Sequence, residues 1–182
     1  IICTYNGEKS YPLALKHDLT KQIPALERKY PKYEMYKDQQ ITDIFTSEQL
    51  KNAIHLDVFN LETTLYMNDG SGNFTARPVP VEVQFSPVYA VETGDYNGDG
   101  NPDIMMGGNL HNVKPEVGRY DASYGSFLLG DGKGGFRNVP AKVSGFRLDG
   151  EVRDIMEVLT TNGKLLVVSR SNDPLQVFKV LR

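Results

Sequence analysis

The chain has 182 residues, of which 40% are hydrophobic and 24% charged, so it has enough apolar material to fold and does not resemble a disordered chain. A formal net charge of −3 gives no electrostatic basis for nucleic-acid binding, and no apolar run is long enough to span a bilayer. The single cysteine, Cys3, excludes an internal disulfide and any multi-cysteine metal site.

The first predicted element is a β-hairpin over residues 1–16. Asn6 and Gly7 separate two strand-like runs, and both residues tolerate the positive φ that a tight hairpin turn requires. A chain that opens inside a hairpin is expected to be a piece of a longer protein, with this hairpin belonging to an incomplete preceding unit. An N-terminus left by removal of a signal peptide is the alternative.

Residues 17–56 contain no glycine and many long charged side chains, which predicts a small helical insert. One short helix is expected to be capped by Thr20 and to end before Pro31, because the residue that precedes a proline disfavours the helical conformation. A second helix is expected after Thr46, whose spacing from Gln49 fits a capping box.

From residue 57 onward, short apolar runs recur every 10–15 residues with turn residues between them, which predicts a meander of β-strands. Residues 65–74 and 127–136 both consist of a strand-like run, an Asp-Gly turn and a phenylalanine, 62 residues apart. Residues 103–109 resemble residues 166–172 at a spacing of 63. Units of this length with four short strands each are typical of β-propeller blades.

The predicted fold class is therefore mainly β: a partial β-propeller of about two four-stranded blades plus a hairpin of a preceding blade, with a small helical insert. The expected segments are the hairpin 1–16, the insert 17–56, a blade at 57–116 and a degenerate last blade with a C-terminal strand at 117–182. A β-sandwich built from a duplicated pair of hairpins is the alternative architecture.

The motif with the clearest chemistry lies between residues 95 and 103. Oxygen-bearing side chains at alternate positions of a tight loop can converge on one hard cation, and Gly100 permits the turn that folds the loop around it. Oxygen-only ligands favour Ca²⁺ over zinc, and the strand-like run after the loop distinguishes it from an EF-hand. The expected ligands are the side chains of Asp95, Asn97, Asp99 and Asp103 and the backbone carbonyl of Asn101. A purely structural turn is the alternative.

The other loops of this type are predicted not to bind a cation. Residues 69–73 and 131–135 are expected to be hairpin turns, since Lys133 occupies a would-be ligand position in the second. The last unit has no acidic residue at the positions equivalent to the ligands, which are Val158, Thr160, Asn162 and Leu166. Calcium is thus expected to brace one unit only. Loops of this type bind calcium at roughly 10⁻⁴–10⁻³ M, which is useful outside the cytoplasm.

Taken together, residues 65–74 and 95–109 resemble the FG-GAP/VCBS repeat of integrin-α-like β-propellers. Residues 11–55 are more loosely similar to the C-terminal part of large secreted or lipid-anchored bacterial VCBS-repeat proteins, which often carry a UnbV/ASPIC domain. The resemblance implies a calcium-braced propeller in the periplasm, at the cell surface or secreted, with the remaining blades of a longer protein as partners. It implies no particular ligand.

Catalysis has little support in the sequence, because it contains no nucleophile elbow, phosphate loop or recognisable catalytic triad. The acidic residues Asp149, Glu151, Asp154 and Glu157 are interpreted as solvated edge residues, with glycosidase chemistry as the alternative. Arg119, Tyr120 and Tyr124 follow a long loop and are candidate contacts for a protein or glycan ligand, although a mobile connection is the simpler and favoured explanation of the segment.

The predicted function is a noncatalytic, extracytoplasmic, calcium-binding module for binding or scaffolding. The alternative is a noncatalytic part of a larger polysaccharide-acting enzyme. Open strand edges are also expected to let the isolated chain oligomerise.

Overall fold

The computed structural model describes residues 1–115 and 117–181. Within these ranges the chain is mainly β, with eleven strands in four antiparallel sheets and a few short helices. The chain divides into two compact units, Ile1–Phe59 and Asn60–Arg182. The longest of the described helices has seven residues, and none of them is long and apolar enough to cross a membrane.

The first unit contains one hairpin followed by short helices. The hairpin pairs β1 (Cys3–Asn6) with β2 (Lys9–Pro12) around Gly7, whose φ is +62°, so the predicted turn is present. The helices are α1 (Lys16–Gln22), α2 (Ala25–Lys29), α3 (Ile41–Ile44) and α4 (Ser47–Lys51), with a 3-10 turn at Tyr33–Met35. They bury a small core of Leu19, Leu26, Tyr30 and Ile44.

Helix boundaries in this unit differ partly from the sequence expectation. The capping box at Thr46 is confirmed, since its side chain accepts from Gln49 N and the Gln49 side chain accepts from Thr46 N. The cap at Thr20 is wrong: Thr20 lies inside α1, and its hydroxyl donates to the His17 carbonyl. Pro24 begins a separate helix, α2, because proline has no N–H to continue the hydrogen bonding of α1.

The second unit is built from antiparallel hairpins. The strands are β3 (Leu65–Asn68), β4 (Phe74–Arg77), β5 (Val88–Gly94), β6 (Asp103–Gly108), β7 (Ser126–Gly130), β8 (Phe136–Val139), β9 (Val152–Thr160), β10 (Gly163–Arg170) and β11 (Asp173–Lys179). A 3-10 turn at Val81–Gln84 and the short helix α5 (Ala141–Ser144) follow Pro80 and Pro140.

These strands form a two-stranded sheet β3–β4, a four-stranded sheet β5–β8 and a three-stranded sheet β9–β11. The four-stranded sheet joins strands from both sides of residue 116, where the sequence analysis placed a boundary between blades. Within the described residues no sheet closes on itself.

Both faces of the four-stranded sheet carry buried hydrophobic residues, and β6 is buried along its whole length. Met105 and Ala90 pack with Val152, Ile155 and other residues in a core shared with the three-stranded sheet. Ile104, Met106 and Leu128 pack on the opposite face, around Val83 of the 3-10 turn. A sheet with both faces covered can contribute two hydrophobic cores, which explains why Leu128 is entirely removed from solvent.

The internal repeat is visible in the register of the strands. Asn68 pairs with Phe74, and Gly130 pairs with Phe136, so the two hairpins match at the predicted offset of 62. In β6 and β10 the buried positions Ile104 and Met106 correspond to Leu166 and Val168, which is also an offset of 62. The predicted spacing of 63 for residues 103–109 is therefore one residue too long for the buried positions of these strands.

Candidate functional site

The acidic loop lies between β5 and β6, which are paired up to Gly94 and Asp103. The Asp95 carboxylate occupies the centre of this loop. Its Oδ1 accepts hydrogen bonds from Gly98 N at 2.7 Å and Asp99 N at 3.2 Å, and its Oδ2 accepts from Gly100 N at 3.0 Å. The backbone can turn around one carboxylate because Gly98 and Gly100 have φ values of +79° and +85°.

Two further predicted ligands, Asn97 and Asp99, are held against each other in the same loop. Asn97 Nδ2 donates to Asp99 Oδ2 at 2.8 Å, and Asp99 N donates to Asn97 Oδ1 at 2.9 Å. Asn101 N donates to Asp99 Oδ1 at 2.8 Å. Two hydrogen bonds favour the ionised carboxylate and hold the pKa of Asp99 below its ordinary value. The larger effect comes from the Asn101 N–H and the smaller from the Asn97 amide. Asp99 therefore carries the negative charge that a cation requires.

The last predicted ligand, Asp103, has a different environment. Its side chain is fully buried, with Oδ2 accepting from Tyr96 N at 3.0 Å and Oδ1 accepting from Gly130 N at 3.0 Å. The carboxylate thus fastens the start of the acidic loop to the end of β7. This structural role was missed in the sequence, because nothing local indicates that Gly130 lies beside it.

The donor chemistry of the loop fits a hard cation. All five predicted ligands offer oxygen, and an ionised carboxylate has about four lone-pair sites, of which the N–H donors occupy only some. In the described part of the chain, however, no group of three or more His, Cys, Asp or Glu residues lies close enough together to hold a metal. The acidic side chains instead accept hydrogen bonds from backbone N–H groups that lie between them.

The related loops are hairpin turns, as expected. Asp69 Oδ1 accepts from Ser71 N and Asn73 N, and Asp131 Oδ1 accepts from Lys133 N and Gly135 N. In the three-stranded sheet, the pairing of β9 with β10 continues as far as Thr160 and Gly163, and two residues join these strands. The long acidic loop therefore has no counterpart between β9 and β10.

The opposite end of the four-stranded sheet carries the predicted ligand-binding residues. Arg119 is exposed, and Tyr120 is 44% exposed and forms a β-bridge with Leu110. Tyr124 is 50% exposed, and its ring stacks under the Arg147 guanidinium at 4.0 Å from the centroid. The cation beside Tyr124 is thus Arg147 rather than Arg119. No pattern in the sequence indicates this contact of Arg147.

A small groove lies beside Tyr124. It encloses about 190 Å³, and its lining includes Tyr124 but neither Arg119 nor Tyr120. Phe85, which is 53% exposed, contributes a second aromatic ring. A larger depression of about 390 Å³ lies at the other end of the chain, along Asn162–Lys164 and residues 179–181, but it has no aromatic side chain in its lining.

The segment that carries Tyr120 and Tyr124 is fixed by buried polar side chains. Asn109 is 4% exposed and has a φ of +80°. Its amide donates to the carbonyls of Ser123 at 2.8 Å and Gly150 at 3.0 Å and accepts from Ser123 N. Ser86 Oγ donates to the Tyr120 carbonyl at 3.1 Å. These hydrogen bonds anchor the segment to the sheet. The sequence feature that indicates the anchor is Asn109 after two glycines, since asparagine tolerates positive φ.

The acidic cluster does not form a pair of free carboxylates. Glu151 is buried and accepts from His111 N and from Arg153 Nη2. The His111 N–H, outweighing the effect of burial, lowers the pKa of Glu151. Glu157 Oε2 accepts from Lys164 Nζ at 2.9 Å. These carboxylates connect neighbouring strands and loops.

Comparison with known proteins finds a family model that matches part of the chain. No curated protein and no solved structure matches the chain significantly. A family model does match residues 41–106, a range that begins in α3, includes the β3–β4 hairpin and the acidic loop, and ends in β6. This part of the chain is similar to an FG-GAP-like repeat.

Proposed function

We propose that this chain is a noncatalytic, calcium-braced segment of an FG-GAP-type β-propeller that acts outside the cytoplasm as a binding or scaffold module. The observation that carries the proposal is the exposed Asp95 carboxylate at the centre of the loop, where it accepts hydrogen bonds from three backbone N–H groups. Tyr96 packs in the hydrophobic core, but residues 97–100 are exposed, so an added ion would stabilise the part of the loop that side-chain packing does not.

The ion would be held by the oxygens of Asp95, Asn97, Asp99 and Asp103 together with the Asn101 carbonyl. Calcium would supply positive charge that compensates the repulsion among three carboxylates in a nine-residue loop. The loop is already turned around Asp95, and Asp99 is ionised, so ion binding does not have to begin from an extended chain. Bound only by the folded state, calcium would raise stability by mass action.

The repeat supports a propeller arrangement. The face of the four-stranded sheet that bears Met105 packs against β9, and the equivalent face of the three-stranded sheet is apolar but exposed. The apolar residues of that outer face include Met156, Val158, Leu165, Val167, Leu175 and Val177. We propose that it packs against a further sheet of the same kind, in a larger secreted or lipid-anchored VCBS-repeat protein. In the isolated chain, this uncovered face and the open strand edges would promote self-association.

A noncatalytic role is supported by the positions of the acidic side chains. Glu151 and Glu157 are engaged by Arg153 and Lys164, and Asp149 lies 3.4 Å from Arg147. A general acid or base needs a free proton-transfer position beside a substrate cavity. These carboxylates instead hold the loops and strands together.

Calorimetric titration of the full chain with calcium chloride tests the proposal. We expect a dissociation constant of about 10⁻⁴–10⁻³ M. With about 10 mM calcium this predicts a gain of roughly 1.4–2.7 kcal/mol over the same protein in EDTA. A chain of this size should then melt roughly 3–11 °C higher in calcium. An affinity in this range would be useful where calcium is abundant, which supports an extracytoplasmic location.

The Asp131→Ala variant is the matched control for Asp99→Ala. Both residues are exposed loop aspartates that accept backbone N–H groups, but only Asp99 belongs to the proposed site. Asp99→Ala is expected to abolish the calcium-dependent increase in melting temperature, and Asp131→Ala is expected to retain it. Absence of any heat of binding and of any melting shift in the wild-type chain would refute the calcium site.

A further inference from the structure

We propose that the groove beside Tyr124 binds a neutral sugar ring. This inference rests on the proposed role as a binding module, and it assigns a ligand class and a position to it. The residues that line the groove include two half-exposed aromatic residues, Phe85 and Tyr124, and the polar residues Glu82, Ser126 and Asn138.

The lining chemistry suits a pyranose. One face of a pyranose carries aliphatic C–H groups with partial positive charge, and these pack on the negative face of an aromatic ring. The hydroxyl groups at its rim need hydrogen-bond donors and acceptors, which the Glu82 carboxylate and the Asn138 amide supply. Of the described lining residues only Glu82 is charged, and its negative charge disfavours acidic sugars.

The volume of the groove limits the size of the ligand. At about 190 Å³ it is smaller than the roughly 300–1,000 Å³ of pockets that enclose drug-sized molecules. A single ring, either free or at the end of a chain, is therefore the expected occupant.

The groove is also fixed in position before any ligand arrives. The Tyr124 carbonyl accepts from Leu148 N at 2.9 Å, and the next residue, Gly125, has a φ of +80° and packs against Leu148 and Phe146. Ser123 is held by the buried Asn109 amide. Arg147 fixes the ring of Tyr124 from one side. An aromatic side chain on an ordered backbone loses little conformational entropy on binding.

The groove and the acidic loop lie at opposite ends of the four-stranded sheet. Gly94, which adjoins the acidic loop, pairs with Asp103, whereas Val88 at the other end of β5 pairs with Gly108. The groove is formed where β7 begins and β8 ends, which is the same end as Val88. Sugar binding and calcium binding can therefore be measured and lost separately.

Saturation-transfer NMR of the full chain in saturating calcium tests the inference with four probes. These are the methyl glycosides of β-D-glucose, β-D-galactose and α-D-mannose, together with D-glucuronate. We expect at least one methyl glycoside to bind with a dissociation constant on the order of 1 mM. Its ring C–H protons should show the largest saturation, and D-glucuronate should bind more weakly.

Variants locate the binding. Tyr124→Ala and Phe85→Ala are each expected to weaken binding about 3–10-fold, from the loss of one stacked ring. Tyr89→Ala is the matched control, because Tyr89 is 47% exposed and lies under Arg153 at 4.5 Å, as Tyr124 lies under Arg147, but is not among the groove residues. It should leave the affinity unchanged. Melting temperatures of all three variants check that the fold is retained.

Three outcomes would overturn the inference. The first is no saturation of any methyl glycoside by a chain that binds calcium, which would leave the proposed calcium site intact. The second is an equal effect of Tyr89→Ala and Tyr124→Ala. The third is saturation of a neutral tripeptide such as Ala-Ser-Ala that is lost in Tyr124→Ala, with no binding of the glycosides, which would make the groove a peptide site.

Discussion

Replacement of Asp103 by asparagine should destabilise the second unit strongly even without calcium. The Asp103 carboxylate is fully buried and accepts one N–H from Tyr96 and one from Gly130. Asparagine keeps one acceptor oxygen but turns an NH₂ group toward the other N–H, so one buried donor loses its partner. Loss of a charge-assisted hydrogen bond costs about 1.5–3 kcal/mol, and an unsatisfied buried donor costs about 1–3 kcal/mol.

These terms overlap, and together they predict that Asp103→Asn lowers the free energy of unfolding by about 2–5 kcal/mol. At roughly 2–4 °C per kcal/mol, the melting temperature should fall by at least about 4 °C. The assay is urea denaturation followed by circular dichroism, in EDTA so that no calcium contributes.

The control for this prediction is Asp131→Asn. Asp131 also accepts two backbone N–H groups, from Lys133 and Gly135, but its side chain is exposed, so water can replace the lost acceptor. The control should change the free energy of unfolding by less than about 1 kcal/mol. Equal effects of the two substitutions would refute the argument that burial of Asp103 determines its contribution.

Four further changes have defined outcomes. Tyr96→Phe should leave stability unchanged or raise it by up to about 1 kcal/mol in urea denaturation, because among the described residues the buried Tyr96 hydroxyl has no hydrogen-bond partner, and a loss above about 1 kcal/mol would contradict this. Glu151→Gln should be less stable than wild type at pH 7. Because the pKa of Glu151 is lowered in the folded state, the difference in free energy of unfolding between variant and wild type should shrink as the pH falls below the ordinary value of 4.5. A difference that persists at pH 2 would refute this link between the pKa and stability. Gly108→Ala should cost at least about 2 kcal/mol in the same assay, since a Cβ there would overlap the Pro87 carbonyl, and a neutral result would show that the two strands can move apart. Val177→Lys should reduce self-association in sedimentation velocity, because Val177 is 53% exposed on the outer apolar face, and an unchanged sedimentation coefficient would exclude that face as the contact.

Turns were the most predictable part of the structure. Gly7, Gly70 and Gly132 all have positive φ and lie where the sequence predicted hairpins. A tight turn is specified by two or three adjacent residues, so its signal is present in the sequence itself. For the same reason, the offset of 62 between the two Asp-Gly hairpins could be read before the structure was known.

Two of the short apolar runs after residue 57 from which the sequence predicts a meander of strands, 79–85 and 139–143, contain helical turns instead. Val81–Gln84 is a 3-10 turn, and Ala141–Ser144 is a short helix. Each follows a proline, Pro80 or Pro140, whose fixed φ suits the residue before a helical turn. Apolar content alone does not distinguish a buried turn from a buried strand when the run is this short.

Asp103 shows where prediction from the sequence reached its limit at the candidate site. Its spacing from Asp95 indicated a role in the acidic loop, and the structure places it at the end of that loop. Its contact with Gly130 joins positions 27 residues apart, and no local pattern indicates that pairing. The same is true of Asn109, which reaches Gly150 across 41 residues.

The sequence by itself determined the β-rich class, the hairpin turns, the internal repeat and the oxygen-rich composition of the acidic loop. These depend on neighbouring residues, through φ preferences, side-chain alternation and ligand type. The tertiary structure alone decided that β7 and β8 join β5 and β6 in one sheet and that Tyr124 lies beside Phe85 and Arg147. The backbone groups that pair strands are chemically identical in every strand, so the choice of partner depends on side-chain packing and on buried hydrogen bonds between distant residues.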